Sequence, residues 1–344
     1  MTYPTFLPSA LSLIDASQDG GSAAIAAEDF MIPSGDPGIE LFVRNKHPAD
    51  RARLSPEKIL LYVHGTSQAA ETTFDLALDG LSWMDYLARQ GWDVYLVDLR
   101  GYGRSTRPPE MRAPAADNPP IVTTDVALQD FGTAVDFVLK RRNARRLSII
   151  GWSWGTVIVA SFAARNRDKV SRLVLFAPVW VRPAPPAESI AAPLGAYQTW
   201  TVEQQHANLQ TGAPADQRAG LMPLAWFAAW KEAALATDPE GARQDPPVVR
   251  SPSGAPSDSR AYWSAGRPYY DPAEITAPTL IAHGEWDGLL PATMAQAIYA
   301  KLTNVPYKRF VQIGEGTHML LLERNRLQLF HEVQLFLDEP AALG

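Results

Sequence analysis

The sequence contains no cysteine, and this is the first of several absences that narrow the chemistry of the protein. Without cysteine there is no disulfide, no thiolate nucleophile and no thiolate metal ligand. No apolar stretch approaches the ~20 residues that a helix needs to cross a bilayer. Positive charge is not in excess either: the formal net charge is −6, whereas proteins that bind nucleic acids usually carry a basic surface patch. We therefore expect a globular protein whose partner is neither a nucleic acid nor a membrane.

Signals for secretion, metals and nucleotides are also missing. The first twenty residues include an early proline and an aspartate and lack the basic region of a secretory signal peptide, so we expect a cytoplasmic protein. The sequence contains neither an HExxH metal motif nor a Walker-type phosphate loop, and the segment Gly101-Tyr102-Gly103 lacks the third glycine of a dinucleotide fingerprint. We therefore expect no metal and no cofactor, while the oligomeric state stays open.

Apolar runs of strand length alternate along the chain with longer segments of helical period. Continuous runs of valine, isoleucine and leucine are typical of parallel strands that helices cover on both faces. The predicted strands are residues 58–63, 93–99, 147–150, 173–176, 279–282 and 308–313, with 39–44 as a further antiparallel edge strand. The predicted helices are residues 74–90, 126–142, 156–165, 291–302 and 319–337. This order predicts a doubly wound α/β fold with right-handed crossovers.

The alternation stops between about residues 181 and 272, where no strong strand pattern appears and proline, alanine and large aromatic residues dominate. Disordered segments are poor in aromatic residues, so we expect this stretch to be folded and mostly helical. Within it, residues 245–260 are rich in proline and serine and are predicted to form a loop. The sequence thus predicts a core domain of residues 1–180 and 273–344 and a helical cap of residues 181–272.

The strongest local signal is the pentapeptide GWSWG at residues 151–155, which lies between a predicted strand and a predicted helix. In this context the GxSxG pattern forms a nucleophile elbow, a strained turn that lifts the serine hydroxyl out of the backbone above a helix N-terminus. The pattern predicts Ser153 as a nucleophile. The alternative is a tight turn that contains a serine without a catalytic role.

A second loop, with the sequence HGTS at residues 64–67, directly follows the first strand of the predicted parallel sheet. An oxyanion hole needs two N–H donors close to the developing negative charge. We assign these donors to the backbone N–H groups of Thr66 and Trp154, with Ser67 as a substitute for Thr66. His64 is expected to bond the loop rather than to act as a base. The candidates for contact with the substrate are His64, Ser67 and Trp152.

The base and the acid are expected near the C-terminal end of the chain. His318 lies in a turn after the last predicted strand, where its imidazole can reach a serine at the sheet edge. Asp287 is the candidate for the carboxylate that fixes the imidazole tautomer, and Glu285 is its rival. Asp287 could instead cap the helix that follows. His283 is expected to pack near the site without taking the proton.

Together these pieces resemble the α/β-hydrolase superfamily in their order and spacing. The serine, aspartate and histidine follow one another in the order of that superfamily, which differs from the orders in chymotrypsin and subtilisin. The resemblance covers about residues 39–180 and 273–340, and it implies a helical cap where the insertion lies. The matching pieces are HGTS at 64–67, DLRGYGRS at 98–105, GWSWG at 151–155, HGEWDGLLP at 283–291 and GTH at 316–318.

The resemblance implies a serine hydrolase that acts on a small molecule, with Ser153, His318 and Asp287 as its triad. Epoxide hydrolases and haloalkane dehalogenases of this superfamily carry aspartate at the nucleophile position, so the serine disfavours their reactions. A carboxylic ester or lactone, bound in a pocket formed by the aromatic-rich cap, is the first choice of substrate. GWSWG also resembles the GGSWG of proline iminopeptidases, so an amide is the second choice, and a non-catalytic binding protein is the third. The cap acids available to hold a substrate amine are Glu188, Glu203, Glu232 and Asp238.

Overall fold

A twisted sheet of eight strands forms the centre of the computed structural model, which describes residues 24–182 and 193–340. Strands β1 and β2 form an antiparallel hairpin, β2 runs antiparallel to β4, and every other neighbouring pair in this sheet is parallel. The strands are β1 (Ile25–Pro33), β2 (Glu40–Pro48), β3 (Ile59–Val63), β4 (Asp93–Val97), β5 (Leu147–Trp152), β6 (Val170–Phe176), β7 (Tyr197–Trp200), β8 (Val249–Pro252), β9 (Thr279–Gly284) and β10 (Lys308–Ile313). Their order in the sheet is β1-β2-β4-β3-β5-β6-β9-β10, and β7 and β8 pair separately.

Helices cover both faces of the sheet. They are α1 (Glu71–Phe74), α2 (Trp83–Arg89), α3 (Thr124–Arg142), α4 (Trp154–Arg165), α5 (Val202–Leu209), α6 (Arg218–Leu221), α7 (Leu224–Ala236), α8 (Gly254–Ala261), α9 (Ala292–Lys301) and α10 (Arg326–Asp338). Helices α3, α4 and α9 supply buried side chains to one core, and α2 and α10 supply them to the other. Strand β3 shows why both cores form: Ile59, Leu61 and Val63 belong to the first, whereas Leu60 and Tyr62 belong to the second. The doubly wound α/β fold is therefore confirmed.

The first strands differ from the prediction. Residues 39–44 were expected to form an edge strand, but β2 is covered by β1 on its outer side, so β1 is the edge. β1 has no counterpart in the predicted set because its residues alternate between half-buried and exposed positions and include two acids, Glu28 and Asp29. Both carboxylates pair with arginine side chains of the neighbouring elements, Asp29 with Arg44 on β2 and Glu28 with Arg141 on α3.

The predicted helix at residues 74–90 is two helices. α1 ends at Phe74, and the chain then passes through Asp79 and Gly80, both with positive φ angles of 49° and 74°. α2 begins after Ser82, whose hydroxyl accepts from the N–H of Asp85 while the Asp85 carboxylate accepts from the N–H of Ser82. This capping box starts a new helix where the apolar periodicity alone predicts a continuous one.

The intervening segment, defined here as the chain between β6 and β9, contains α5–α8 together with β7 and β8. The sequence shows no strong strand pattern here, but β7 and β8 lie in this region. The prediction of a loop over residues 245–260 was wrong, because these residues hold β8 and most of α8. The pairing of β7 with β8 joins residues about fifty positions apart, such as Tyr197 with Pro252. Two four-residue strands whose partners are so distant leave no local pattern to recognise.

Candidate active site

The predicted nucleophile elbow lies at the end of β5 and the start of α4. Ser153 lies between them with φ 56° and ψ −124°, a backbone conformation that costs a non-glycine residue on the order of 1–3 kcal/mol. Glycine is required on both sides: a Cβ on Gly151 would lie 2.3 Å from the Gly155 carbonyl oxygen, and a Cβ on Gly155 would lie 2.6 Å from the His64 carbonyl oxygen. These close approaches hold Ser153 on the sharp turn that the sequence predicts.

Three side chains that are far apart in the sequence meet at this turn. The Oγ of Ser153 lies 2.9 Å from Nε2 of His318, and Nδ1 of His318 lies 2.8 Å from Oδ2 of Asp287. Both the imidazole and the carboxylate are buried, whereas the serine is partly accessible. Because an ionised carboxylate only accepts hydrogen bonds, Nδ1 carries the proton and Nε2 is free to accept the serine proton.

The environment of Asp287 keeps its carboxylate ionised. Its Oδ1 accepts hydrogen bonds from the backbone N–H groups of Leu289 and Leu290, at 3.1 and 2.9 Å. Burial raises the pKa of Asp287, but the charge and hydrogen bond of His318 and the N–H of Leu290 outweigh burial, so that the pKa lies below its usual value. Asp287 therefore also caps the backbone that follows it, in addition to its contact with the imidazole.

Glu285, the rival acid, lies elsewhere. Its carboxylate is exposed and accepts the backbone N–H of Glu315 at 3.0 Å. The N–H of Trp286 donates to the carbonyl oxygen of Gly316 at 2.8 Å. These bonds fasten the loop that carries the acid to the loop that carries the imidazole, so Glu285 supports the geometry without contacting His318.

Trp152 has a different position from the one expected for a substrate contact. Its side chain is 2% exposed, and its indole Nε1 donates to the carbonyl oxygen of His318 at 3.0 Å. Trp152 therefore holds the main chain of His318. The sequence offered no signal for this bond, because the two residues meet only after the sheet has assembled.

The loop after β3 runs against the elbow. A Cβ on Gly65 would lie 3.1 Å from Cβ of Ser153, so the loop passes close to Ser153 at the residue before Thr66. The hydroxyl of Tyr102 donates to the carbonyl oxygen of Thr66 at 2.7 Å and holds this peptide in place. Trp154 is the first residue of α4, and its backbone N–H has no acceptor within the helix. Thr66 and Trp154 thus remain our candidates for the oxyanion donors.

His64 is built into the loop. It is fully buried, its Nδ1 donates to the carbonyl oxygen of Gly65 at 2.7 Å, and its Nε2 accepts the N–H of Leu99 at 3.1 Å. Burial lowers the pKa of His64 to about 4, so the ring is neutral at pH 7. Since both nitrogens are used, the expected bonding role fits the geometry, whereas a hydrogen bond from His64 to a substrate does not.

Two side chains of the intervening segment bind this same loop. Gln205 on α5 donates to the hydroxyl of Ser67, and the indole of Trp230 on α7 donates to Oε1 of Gln68 at 3.0 Å. Ser67, predicted as a substrate contact, is therefore already bonded to the intervening segment. Neither Gln205 nor Trp230 stands out in the sequence, since a glutamine and a tryptophan on short helices are usually packing residues.

The described residues were compared with the requirements of a metal site and of a membrane-spanning helix. Among residues 24–182 and 193–340, no three or more histidine, aspartate or glutamate side chains are grouped as metal ligands. Within the same part of the chain, none of the helices combines the length and the apolar content needed to cross a membrane.

Comparison with known proteins agrees with the fold. Residues 58–325 match the family model of the α/β-hydrolase fold. Comparison with curated protein sequences finds no match. Among solved structures, the enol-lactonase from Burkholderia xenovorans LB400 superposes with a TM-score of 0.61 at 16% identity, over 90% of this chain and 100% of that one.

Two further structures superpose to a similar extent. A thermophilic esterase from Thermogutta terrifontis gives a TM-score of 0.59 at 16% identity, with 90% and 98% of the chains covered. A bromoperoxidase from Bacillus anthracis gives 0.60 at 17% identity, with 91% and 100% covered. At such low identity these structures share the fold alone, but the family model spans well over half of the sequence. The chain belongs to the α/β-hydrolase fold family.

Proposed function

We propose that the protein is a serine hydrolase that cleaves a carboxylic ester or a lactone through an acyl-enzyme on Ser153. The observation that carries this proposal is the pair of contacts at His318: 2.9 Å from Nε2 to the serine Oγ and 2.8 Å from Nδ1 to the Asp287 carboxylate. Contacts of this length let a hydroxyl be deprotonated while it attacks.

In the proposed reaction, His318 takes the proton of Ser153 as Oγ attacks the carbonyl carbon, and then gives that proton to the leaving alcohol. A water molecule, activated by the same imidazole, hydrolyses the acyl-enzyme and releases the acid. Asp287 stays ionised and stabilises the imidazolium that forms in each step. In a lactone the leaving alcohol remains attached to the acyl group, so a single hydroxy acid is released after hydrolysis.

The N–H groups of Thr66 and Trp154 are the proposed donors to the oxyanion of both tetrahedral intermediates. Loss of one such donor typically costs ~3–4 kcal/mol in the barrier. Residues 181–272 are the proposed cap over this site. Support comes from Gln205 and Trp230, which bond the loop that contains Thr66.

An ester is favoured over a peptide because the acids considered for binding a substrate amine have other contacts. Asp238 is fully buried and forms a two-point ion pair with Arg250. Glu203 is exposed and pairs with Lys231. Glu232 is also exposed, and Glu188 lies outside the described residues. An aminopeptidase would need at least one acid directed at the nucleophile, and the contacts of Asp238 and Glu203 direct them elsewhere.

The first experiment is active-site labelling. We expect a fluorophosphonate probe to label the wild-type protein at Ser153, identified by peptide mass analysis, and to leave Ser153→Ala unlabelled. Ser161, a buried serine on α4, supplies the control: Ser161→Ala should be labelled like the wild type. Folded wild-type protein that resists the probe would support a binding protein instead of an enzyme.

The second experiment compares substrates. We expect hydrolysis of p-nitrophenyl esters of short acids and of simple lactones at rates that depend on Ser153, with slower hydrolysis of proline p-nitroanilide. An anilide that is turned over faster than the esters would reverse this order and favour the aminopeptidase.

A further inference from the structure

Glu323 is a buried carboxylate close to the base that the proposed reaction does not use. It follows the short turn Leu320–Leu322, and its side chain is 0% exposed. A carboxylate is seldom fully buried without partners. Both partners of Glu323 are on one residue: Oε2 accepts the backbone N–H of Thr317 at 2.9 Å, and Oε1 accepts the Thr317 hydroxyl at 2.5 Å.

Thr317 directly precedes His318, so this bidentate contact acts on the base. The Thr317 hydroxyl oxygen also accepts the N–H of Met319 at 3.2 Å. The residues on both sides of His318 are thus held by one hydroxyl, and that hydroxyl is held by Glu323. A base must be held within about 0.5 Å of its productive position to act efficiently, and hydrogen bonds to the residues beside it supply this precision.

We propose that Glu323 is a positioning residue for His318, which braces the backbone on either side of the imidazole and adds a second negative charge behind it. This inference rests on the proposed function. The Glu323 side chain is fully buried and bonds Thr317, so the residue acts on His318 through Thr317.

Burial and the charged groups around Glu323 determine the direction in which the pKa of its carboxyl group is shifted. Asp287, in the loop after β9, repels its negative charge, and His318 attracts it. The nearby guanidinium of Arg326, on α10, instead donates to the carbonyl oxygen of Leu78 and lies over the Trp226 ring. Burial is the largest influence and, together with Asp287, raises the pKa of Glu323 to about 7 despite the hydrogen bonds from Thr317.

Protonation changes what Glu323 does. The ionised carboxylate accepts both bonds from Thr317, whereas a protonated one has a donor on one oxygen and must reorganise the contact with the threonine hydroxyl. Loss of the negative charge also disfavours the imidazolium that forms during catalysis. Both effects make His318 a less effective base. The brace depends on the hydroxyl of Thr317 and the charge on the carboxylate of Glu323, so mutations at the two residues can separate them.

Two variants separate the effect of the brace from the effect of the charge. Glu323→Gln keeps the size of the side chain, with an oxygen for the N–H and an amide group for the hydroxyl of Thr317, but removes the charge. Thr317→Val removes the hydroxyl and keeps the charge and the backbone contact. Asp50→Asn is the control for loss of a carboxylate, because Asp50 is exposed, also accepts a backbone N–H, from Ala52, and lies outside the loops of the site.

The readout is the rate of fluorophosphonate labelling between pH 5 and 9, which needs no knowledge of the substrate. In Glu323→Gln we expect labelling about threefold slower than the wild type above pH 7, where Glu323 is ionised, and a difference that shrinks towards pH 5, where the wild-type carboxyl is also neutral. In Thr317→Val we expect a plateau about five- to tenfold lower with an unchanged limb, because the imidazole is less well placed. Asp50→Asn should reproduce the wild-type profile.

The outcomes distinguish this inference from the proposed function. If Glu323→Gln and Thr317→Val both follow the wild-type profile, the role of Glu323 is wrong while the hydrolase stands. If Glu323→Gln does not fold, Thr317→Val decides: a lowered plateau supports the brace and a wild-type rate overturns it. A wild-type protein that is not labelled at any pH would contradict both the proposed hydrolase and the positioning role of Glu323.

Discussion

The indole Nε1 of Trp152 donates a hydrogen bond of 3.0 Å to the backbone carbonyl oxygen of His318, 166 positions further along the chain. Trp152 is the residue before the proposed nucleophile, so the strand that presents the serine also fixes the main chain of the base. The two rings are packed together as well, with centroids 5.4 Å apart. Placement of the proposed nucleophile and of the base is therefore coupled through one side chain.

This coupling predicts the effect of Trp152→Phe. The smaller ring keeps most of the apolar contact but cannot donate to His318, so we expect a loss of ~1–2 kcal/mol in the free energy of unfolding. We also expect kcat on a p-nitrophenyl ester to fall about tenfold with little change in KM, because the imidazole is less precisely placed. Trp92→Phe is the control, because this buried indole donates to Asp338. Trp92 directly precedes the amino end of β4, whereas Trp152 lies at the carboxyl end of β5. Equal losses of kcat in the two variants would contradict the coupling.

The position of the two acids predicts a large difference between their amides. Asp287→Asn removes the acceptor for the Nδ1 proton of His318 and favours the wrong tautomer, so we expect kcat to fall by about 10⁴ with the fold intact. Glu285→Gln removes a carboxylate whose bond goes to Glu315, and we expect less than a twofold change. Rates on an activated ester, normalised by circular dichroism and thermal unfolding, provide the measurement. If the two variants were similarly active, Asp287 would serve only as a cap for its own loop.

Much of the core and the candidate site could be predicted because the signals are local. Ser153 is placed by five consecutive residues between a strand and a helix, and the parallel strands are continuous apolar runs, as in β3 where every residue is buried. The loops that carry Asp287 and His318 directly follow β9 and β10, and the sequence predicts both of these strands. Parallel strands bring their carboxyl ends to one edge, so the meeting of these residues follows from the topology.

The parts that could not be predicted depend on contacts between distant segments. β8 is defined by its pairing with β7, and the roles of Trp152 and Glu323 are defined by bonds to the loop of His318. Buried polar residues have no periodic signature, because what stabilises them is a specific partner and not a face of a helix or strand. In the sequence, Glu323 looks like an ordinary surface acid.

The ion pair of Asp238 and Arg250 predicts a large effect on stability. Asp238 is fully buried and accepts two bonds from the Arg250 guanidinium, at 2.9 and 2.7 Å, and Arg250 also donates to the carbonyl oxygen of Met111 in the core. Arg250→Met would remove both guanidinium hydrogen bonds and leave the buried carboxylate with only the more distant Arg107, at 3.8 Å, so we expect a loss of ~3 kcal/mol in the free energy of unfolding. Urea unfolding at pH 7 gives the measurement.

The matched control for this pair is Lys231→Met, which breaks the exposed pair with Glu203. Because solvent screens that pair, we expect a change below ~1 kcal/mol. If Arg250→Met were as stable as Lys231→Met, the intervening segment would not depend on the buried pair.

The burial of His64 predicts how the free energy of unfolding changes as the pH is lowered. Its folded-state pKa of about 4 lies below the ordinary value of 6.5 because burial disfavours the charged ring. Between these two values the unfolded chain binds a proton that the folded protein does not, so acidification favours unfolding. A difference of about 2.5 units corresponds to ~3 kcal/mol, which is present above pH 6.5 and is progressively lost as the pH falls towards 4.

A comparison with His64→Gln isolates this contribution from other groups that titrate in the same range. The variant loses the bonds to Gly65 and Leu99, so we expect it to be less stable than the wild type at pH 7 by ~1–3 kcal/mol. Because it has no proton to gain on unfolding at this position, its deficit should shrink as the pH is lowered from 7 to 4.5 in urea titrations. A deficit that stayed constant over this range would mean that the ring at position 64 takes up its proton equally in the folded and unfolded states, and that its burial in the loop does not hold it neutral.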